Sequence, residues 1–185
     1  MTTYIKYKTI GLILIATFSI TLCGCTEEKV STEQFESRLS KQHINIPYKK
    51  MKYIGNDSSW LENAEYINLY IMDSLSCSYC LANKVFYWKD FENNMKARNK
   101  NSHFCLIVYG NENTCNLINK VFYYTQLNVP TFVDTAMCFI KENKILDSIP
   151  KLSSMFIDKN GKVLLAEDPT ANDRVMNNIY DLISQ

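Results

Sequence analysis

The stretch YINLYIMDSLSCSYCLANK, residues 66–84, joins an apolar run to two cysteines that are separated by two residues. Residues 66–72 are rich in aromatic and β-branched side chains, which favour a strand. After the cysteines, apolar residues recur every three or four positions, as on one face of a helix; this face would hold Leu81, Val85, Trp88, Phe91 or Glu92, and Met95. We therefore expect Cys77 and Cys80 at a strand-to-helix junction.

A cysteine pair at such a junction is suited to thiol chemistry. The unpaired N–H groups and the macrodipole at a helix N-terminus favour the thiolate, which is the reactive form of cysteine. The spacing keeps both sulfurs within reach of one disulfide bond. Cys77 would be the exposed nucleophile, and Cys80 would resolve the mixed disulfide. From the residues alone, a structural disulfide and an inert pair remain alternatives.

The rest of the chain alternates strands with helices. A nearly continuous apolar run at 103–109 predicts a strand covered on both faces, and Asn160-Gly161 predicts a hairpin turn. The further elements are a helix with Leu117, Ile118, Val121 and Phe122 inward, a strand in 129–134, a short helix with Ala136, Phe139 and Ile140 inward, hairpin strands at 153–157 and 162–166, and a last helix burying Val175, Ile179, Leu182 and Ile183. Such alternation implies parallel crossovers, and the hairpin adds antiparallel strands. The expected fold class is α/β, with a mixed central β-sheet flanked by helices.

The N-terminus has the layout of a secretory signal, with two lysines, about a dozen apolar residues and then small residues. The apolar run is shorter than the roughly 20 residues that span a membrane. Leu22-Cys23-Gly24-Cys25 resembles the bacterial lipobox. That resemblance implies removal of residues 1–24 and a lipid on Cys25, and Thr26 after it points to the outer membrane; an ordinary secretory signal is the alternative.

Charge and length bound the mature chain. The leader holds two of the 20 basic residues and none of the 19 acidic ones, so the remainder carries a charge near −1. Such a charge does not suggest nucleic acid as a partner. We expect a tether and N-terminal extension at 25–61, with a short helix around 32–39 and a segment packed on the domain edge. The folded domain is expected at 62–185, a length that needs no disulfide staples.

The cysteines beyond the leader and the lipid site are odd in number. There are five, in a compartment where disulfides form. One reactive pair plus three buried single thiols accounts for them, since free cysteine packs as a small core residue. Cys105, Cys115 and Cys138 are therefore expected in the core.

The order of elements resembles the thioredoxin superfamily, and the cysteine pair and FIDKNGKVLL, residues 156–165, are the specific parts of the likeness. The likeness covers roughly residues 62–184. It is nearest to the membrane-tethered periplasmic branch of thiol-disulfide reductases and their peroxiredoxin-like relatives. It implies a thioredoxin-like fold with an inserted strand and helix before the C-terminal β-hairpin and helix.

Two departures from the superfamily's pattern lie at the cysteines themselves. Ser76 takes the place of the usual aromatic residue, and Ser78-Tyr79 takes the place of a proline-containing dipeptide. The enclosed dipeptide helps to set the redox potential. The direction of any electron transfer is therefore left open.

The third departure concerns the cis-proline that the superfamily places opposite the cysteines. Counting back from the hairpin puts Leu152 at that position, with Pro150 two residues earlier, while Pro130 falls too early, in the inserted strand. A cis bond before Leu152 would cost about 2.5–4 kcal/mol, so we expect it to be trans. Pro150, Leu152 and Ser153 are taken as candidates for the substrate-binding edge.

We expect neither a metal nor a cofactor. A site built on the cysteine pair would need two more ligands, but the chain has no second C-x-x-C, and His43 and His103 are isolated in the sequence. A peroxidase is disfavoured, because the resemblance would require a Thr and an Arg around Cys77.

Together these features predict a lipid-anchored thiol-disulfide oxidoreductase of the bacterial cell envelope. Its partners would be protein thiols or disulfides, an unidentified redox partner, and a membrane through the N-terminal lipid. The alternative is a redox-inactive lipoprotein that uses a thioredoxin-like fold as a binding module.

Overall fold

A computed structural model describes residues 39, 42–55, 57–72, 78–127, 129–144 and 154–184, with only the main chain described for 78–80. These residues belong to one compact unit. The strands are β1 Lys52–Ile54, β2 Tyr66–Met72, β3 Ser102–Tyr109, β4 Thr131–Asp134, β5 Ser154–Asp158 and β6 Val163–Leu165. The helices are α1 Trp60–Asn63, α2 Ser78–Arg98, α3 Glu112–Thr125, α4 Cys138–Glu142 and α5 Asp173–Ile183, and a 3₁₀ turn spans Tyr48–Lys50.

The strands form one mixed sheet in the order β1-β4-β3-β2-β5-β6. β2 pairs in parallel with β3, and β3 with β4. β1 runs antiparallel to β4, β5 antiparallel to β2, and β6 antiparallel to β5. The predicted mixed sheet and closing hairpin are thus both present.

Topology decides which helix covers which face. β2, β3 and β4 lie side by side in the sheet in the same order as in the chain. Right-handed crossovers between them therefore bring α2 and α3 to the same face of the sheet. That face is closed by α5, and its core is built on Trp88, Phe104 and Phe156. The connection from β4 to β5 steps back across the sheet, and α4 packs on the opposite face through Phe139.

Helix α2 follows the predicted apolar stripe. Leu81, Val85, Trp88 and Met95 are all buried. The alternative between Phe91 and Glu92 is resolved in an unexpected way, because both side chains are buried. A carboxylate therefore occupies a core position of the longest described helix.

Part of the N-terminal extension contributes to the edge of the sheet. β1 adds an edge strand, with Tyr53 paired to Phe132 of β4. On the far side of the sheet, His43 forms an isolated bridge with Lys162. The expected leader 1–24, the lipid site Cys25 and nearly all of the expected helix 32–39 lie outside the described residues.

The prediction that Ala136 faces inward is wrong. Ala136 is exposed, and α4 begins two residues later, at Cys138. The cause is Asp134, whose buried carboxylate accepts hydrogen bonds from the main-chain N–H groups of Ala136, Cys138 and Phe139. These bonds hold a tight turn in which Met137 adopts a φ of 55° before the helix starts.

Smaller corrections concern depth of burial. Leu117, Phe122 and Leu182 are half-buried, whereas Cys115 and Tyr180 occupy inward positions on α3 and α5. Cys138 is half-buried, not a core thiol, because it is the first residue of α4. Within the described ranges, no helix is both long and apolar enough to cross a membrane.

Candidate functional site

The carboxyl ends of the three parallel strands meet at one edge of the sheet, at Met72, Tyr109 and Asp134. Ligands of open α/β sheets bind outside this edge. Only residues 73–77 separate the end of β2 from the start of α2 at Ser78. The N-terminus of a 21-residue helix, with its unpaired N–H groups, therefore follows directly on this edge.

The predicted cysteine pair brackets the start of that helix. Cys77 immediately precedes Ser78, and the main chain of Cys80 is helical. Cys77 itself and the side chain of Cys80 lie outside the described residues, as do Pro150, Leu152 and Ser153. The roles assigned to these residues remain predictions.

Strand β5 enters the sheet at the same edge. Its first residue, Ser154, pairs with Tyr70, two positions before the last residue of β2. Ser153 is the residue that precedes Ser154, so the candidate segment 150–153 leads into β5 at the edge where α2 begins. Pro130 precedes β4, which β3 separates from β2, and so lies away from this pairing, as expected.

Polar side chains line the α2-covered face of β2, under the helix. Tyr70 is only 5% exposed, and its hydroxyl accepts a hydrogen bond from Lys84 Nζ at 2.9 Å. Asn68 is fully buried and donates from Nδ2 to Ser154 Oγ at 3.4 Å. Its Oδ1 has no hydrogen-bond partner among the described residues. Buried polar groups are normally paired, so the unpaired Asn68 Oδ1 is an exception on the face of β2 that α2 covers.

The other thiols are poorly suited to chemistry at neutral pH. Cys105 is fully buried, and burial, helped by the charge of Glu92, raises the pKa of its thiol. Burial also raises the pKa of Cys115, against the lowering effect of Lys52. A thiol whose pKa is raised forms little thiolate, so both behave as core residues, as predicted.

A second polar cluster lies near the C-terminal half of α2. A cavity of about 310 Å³ is lined by Tyr53, Trp60, Lys89, Glu92 and Lys96, among other residues. The Glu92 side chain is 1% exposed. Its two oxygens accept hydrogen bonds from Lys89 Nζ at 2.8 Å and Lys96 Nζ at 2.6 Å. The two lysines neutralise the Glu92 carboxylate and satisfy both of its oxygens, which allows a carboxylate to lie in the buried stripe of α2.

His103 lies beside this cluster and stacks on Trp60, with ring centroids 4.7 Å apart. Burial, and then the charge of Lys96, lower its pKa to about 4, while Glu92 acts in the opposite direction. His103 is therefore neutral at pH 7. Within the described part of the chain, no three His, Cys, Asp or Glu side chains are grouped so that they could hold a metal.

Sequence reasoning missed three of these residues. Glu92 was predicted only as an alternative to Phe91 on the helical stripe, and Lys84, four positions after Cys80, was not singled out. Tyr70 was recognised only as a strand residue. Two signals for these charged groups were present in the sequence. Glu92 interrupts an apolar stripe, and Lys84 follows a cysteine by four positions, which is about one helical turn.

Solved structures with a similar fold come from several bacteria. A thiol:disulfide interchange protein from Bacteroides sp. has a TM-score of 0.50 and 16% identity, over 77% of this chain and 86% of that one. A thioredoxin-like protein from Porphyromonas gingivalis has a TM-score of 0.51 and 10% identity, over 77% and 94% of the two chains.

A third similar structure is the bacterioferritin comigratory protein of Xanthomonas campestris. It has a TM-score of 0.50 and 10% identity, over 76% of this chain and 98% of that one. No protein-family model and no curated protein matches the chain. Strand order, helix placement and these likenesses agree, and the protein has the thioredoxin-like fold.

Proposed function

We propose that this protein is a thiol-disulfide oxidoreductase that works through Cys77 and Cys80. The observation that carries the proposal is the start of α2 at Ser78, one residue after Cys77, on a thioredoxin-like sheet. A helix N-terminus stabilises a thiolate through its free N–H groups and its dipole. The likeness to a thiol:disulfide interchange protein gives further support at the level of fold.

In the reductive direction, the Cys77 thiolate attacks one sulfur of a substrate disulfide. One substrate thiolate leaves, and Cys77 is held in a mixed disulfide. The Cys80 thiolate then attacks the Cys77 sulfur, the bond to substrate breaks, and a Cys77–Cys80 disulfide forms. Two electrons pass from the pair to the substrate, and its two thiolates take up the two protons that the cysteines lost. The reverse sequence oxidises a substrate dithiol.

The cell envelope is the proposed location, with a lipid on Cys25 as the anchor. Its support is the signal layout and the sequence Leu22-Cys23-Gly24-Cys25. A chain anchored in this way would be held to the membrane while its folded domain met protein thiols and disulfides. Thr26 after the acylated cysteine favours the outer membrane.

Trapping of partners tests the redox function. In a Cys80→Ser variant of the full chain, Cys77 can still attack, but the mixed disulfide cannot be resolved, so disulfide-linked adducts should accumulate on non-reducing gels and disappear with reductant. A Cys138→Ser variant is the matched control and should give none. Absence of adducts from Cys80→Ser would favour the binding module over the oxidoreductase.

The reduction potential of the pair provides a second test. The full chain, purified in detergent, would be equilibrated in thiol/disulfide buffers, alkylated, and counted for free Cys77 and Cys80 by mass spectrometry. A reversible two-electron transition between roughly −270 and −120 mV would support the proposal, and its position would indicate reductant or oxidant. A pair that stays oxidised far below this range, or forms no disulfide, would exclude it.

The anchor is tested separately by labelling cells with a clickable fatty acid. Wild-type protein should incorporate the label, a Cys25→Ser variant should not, and a Cys23→Ser variant should keep it. Equal labelling of the Cys25→Ser variant would exclude this attachment site without affecting the redox proposal.

A further inference from the structure

Lys84 lies one turn after Cys80 in the unbroken helix α2. Residues four apart share one face of a helix, with about 5–6 Å between their Cβ atoms. The helix thus places a basic residue one turn after Cys80, near its N-terminal end.

Three contacts hold the Lys84 side chain in place. Its ammonium donates to the Tyr70 hydroxyl at 2.9 Å, and it lies 5.1 Å from the centre of the Tyr70 ring. It is also 6.0 Å from the centre of the Trp88 ring. Tyr70 is itself fixed, since it is buried and packs on Trp88 with ring centroids 4.9 Å apart. An exposed lysine normally keeps much of its rotamer freedom, and here the aromatic contacts restrict it.

These partners restrain the ammonium without neutralising it. A hydroxyl and two aromatic rings are uncharged, and cation–π contacts leave the full positive charge available. The contrast is with Lys89 and Lys96 of the same helix, which share the carboxylate of Glu92. Among the described residues, no carboxylate pairs with Lys84.

The position of Tyr70 places this charge near the reacting edge. Tyr70 is two residues before the end of β2 and pairs with Ser154, where β5 enters the sheet. Tyr70 is the titratable group that contacts Lys84 from the sheet. Among the described residues, no ion pair joins Lys84 to α3 or α5. On α2 itself the next charged residues, Lys89 and Asp90, are farther along the chain from Cys80.

We propose that Lys84 is a positioning residue for the dithiol, which stabilises the thiolate of Cys80 and so speeds resolution of the mixed disulfide. The inference rests on the proposed function. In the step concerned, the Cys80 thiol gives its proton to solvent, and the resulting thiolate attacks the Cys77 sulfur. The Cys77–substrate bond breaks, and the released substrate thiolate is protonated. A nearby cation lowers the pKa of a thiol, so more Cys80 is ready to attack at neutral pH.

The test measures the pKa of Cys80 directly. In the full chain with Cys77→Ser, the rate of Cys80 alkylation is followed from pH 5 to 10 by mass spectrometry, with and without Lys84→Met. Removing the charge should raise the pKa and slow labelling at pH 7 by about threefold to tenfold. The two rates should converge at high pH, where both thiols are ionised. A merely structural role for Lys84 would not produce this convergence.

Three further variants sharpen the result. Lys84→Arg keeps the charge and should retain most of the effect, whereas Tyr70→Phe releases the ammonium and should give an intermediate rate. Lys100→Met removes the same charge just beyond the far end of α2, which by helix geometry lies about 27 Å from Cys80, and should leave the rate unchanged. Thermal unfolding of each variant checks that the fold is intact.

The consequence for the intact pair is a lower reduction potential in Lys84→Met, because a less stable thiolate disfavours the reduced form. A tenfold change in the equilibrium constant, which is the limit for a shift of one pKa unit, corresponds to roughly 30 mV; the change is smaller when Cys80 is mostly protonated at pH 7 in both proteins. Folded Lys84→Met protein that labels within twofold of its parent at pH 7 would overturn the inference while leaving the redox function in place. A wild-type pair with no reversible transition would instead reject the proposed function, and the pKa of Cys80 would still decide the role of Lys84.

Discussion

The carboxylate of Glu92 accepts a hydrogen bond from Lys96 Nζ at 2.6 Å, although its side chain is only 1% exposed. Lys89 binds the other oxygen. Taking a carboxylate out of water is costly unless it is paired, and here both oxygens are paired from one helix. The side chains of Lys89 and Lys96 remain partly exposed, at 27% and 40%, so only the negative charge of this cluster is buried.

This arrangement predicts an asymmetric response to substitution. Glu92→Gln keeps the shape but replaces two charge-assisted bonds with an amide that must face two ammonium groups, so it should destabilise the protein by about 2 kcal/mol. Glu92→Met fills the same space with an apolar side chain, and both lysines can turn into solvent, so its cost should stay below about 1 kcal/mol. Urea unfolding measures both, and a Met variant less stable than the Gln variant would contradict the explanation.

The stability of the protein should depend in a similar way on the carboxylate of Asp134, just before α4. Its buried carboxylate accepts from three main-chain N–H groups, two of them within 2.9 Å. Asp134→Asn presents amide hydrogens to those donors and should cost about 2 kcal/mol in urea unfolding. Asp90→Asn makes the same change at an exposed site of α2 and should stay within about 0.5 kcal/mol of wild type. Equal effects at both positions would argue against the capping role.

His103 predicts an acid-sensitive component of stability. Its folded pKa of about 4 lies below the ordinary 6.5. Between these values the unfolded chain binds a proton that the folded chain does not, so this contribution is complete above pH 6.5 and is lost as the pH falls toward 4. Partial exposure screens the effect, which we set at about 1–2 kcal/mol.

The variant His103→Phe isolates that component, because it keeps a ring to stack on Trp60 but cannot titrate. The free energy of unfolding at pH 7 minus that at pH 5 should be larger for wild type than for His103→Phe. The carboxylates titrate in both proteins and cancel in the comparison. An identical pH dependence in the two proteins would refute the prediction.

The single thiols should differ in reactivity. At pH 8 in the native protein, a small alkylating reagent should modify the half-buried Cys138, while Cys105 and Cys115 are protected by burial and by their raised pKa values. In denaturant all three should react. Peptide mapping reads out each site, and rapid native labelling of Cys105 would show that the core of β3 opens far more readily than the packing indicates.

Local signals were enough to predict most elements of the fold. The aromatic and β-branched content of residues 66–72, the three-to-four spacing from Leu81 to Met95, and the Asn160-Gly161 turn each depend on neighbours in the chain. The strand, the buried stripe and the hairpin appear where those signals predicted them. The order of these elements then restricts topology, since crossovers are right-handed.

The failures of prediction are equally local in origin. Ala136 was assigned inward on helical spacing, yet one side chain, Asp134, delays the helix by capping it. Spacing reports the average helix and not the residue at which it begins. The residue at which α4 begins therefore depends on the hydrogen bonds of Asp134, and the spacing of apolar residues gives no information about them.

The sequence by itself determined the fold class, the spacing of the two cysteines and their place at the start of a long helix, because these depend on local propensity and the order of elements. Only the tertiary structure decided that Lys84 meets Tyr70, 14 residues away in the chain, and that the stripe of α2 holds a paired Glu92. Such contacts depend on which strand lies beneath a helix and on which charges share its buried face. Those relationships exist only once the sheet has assembled.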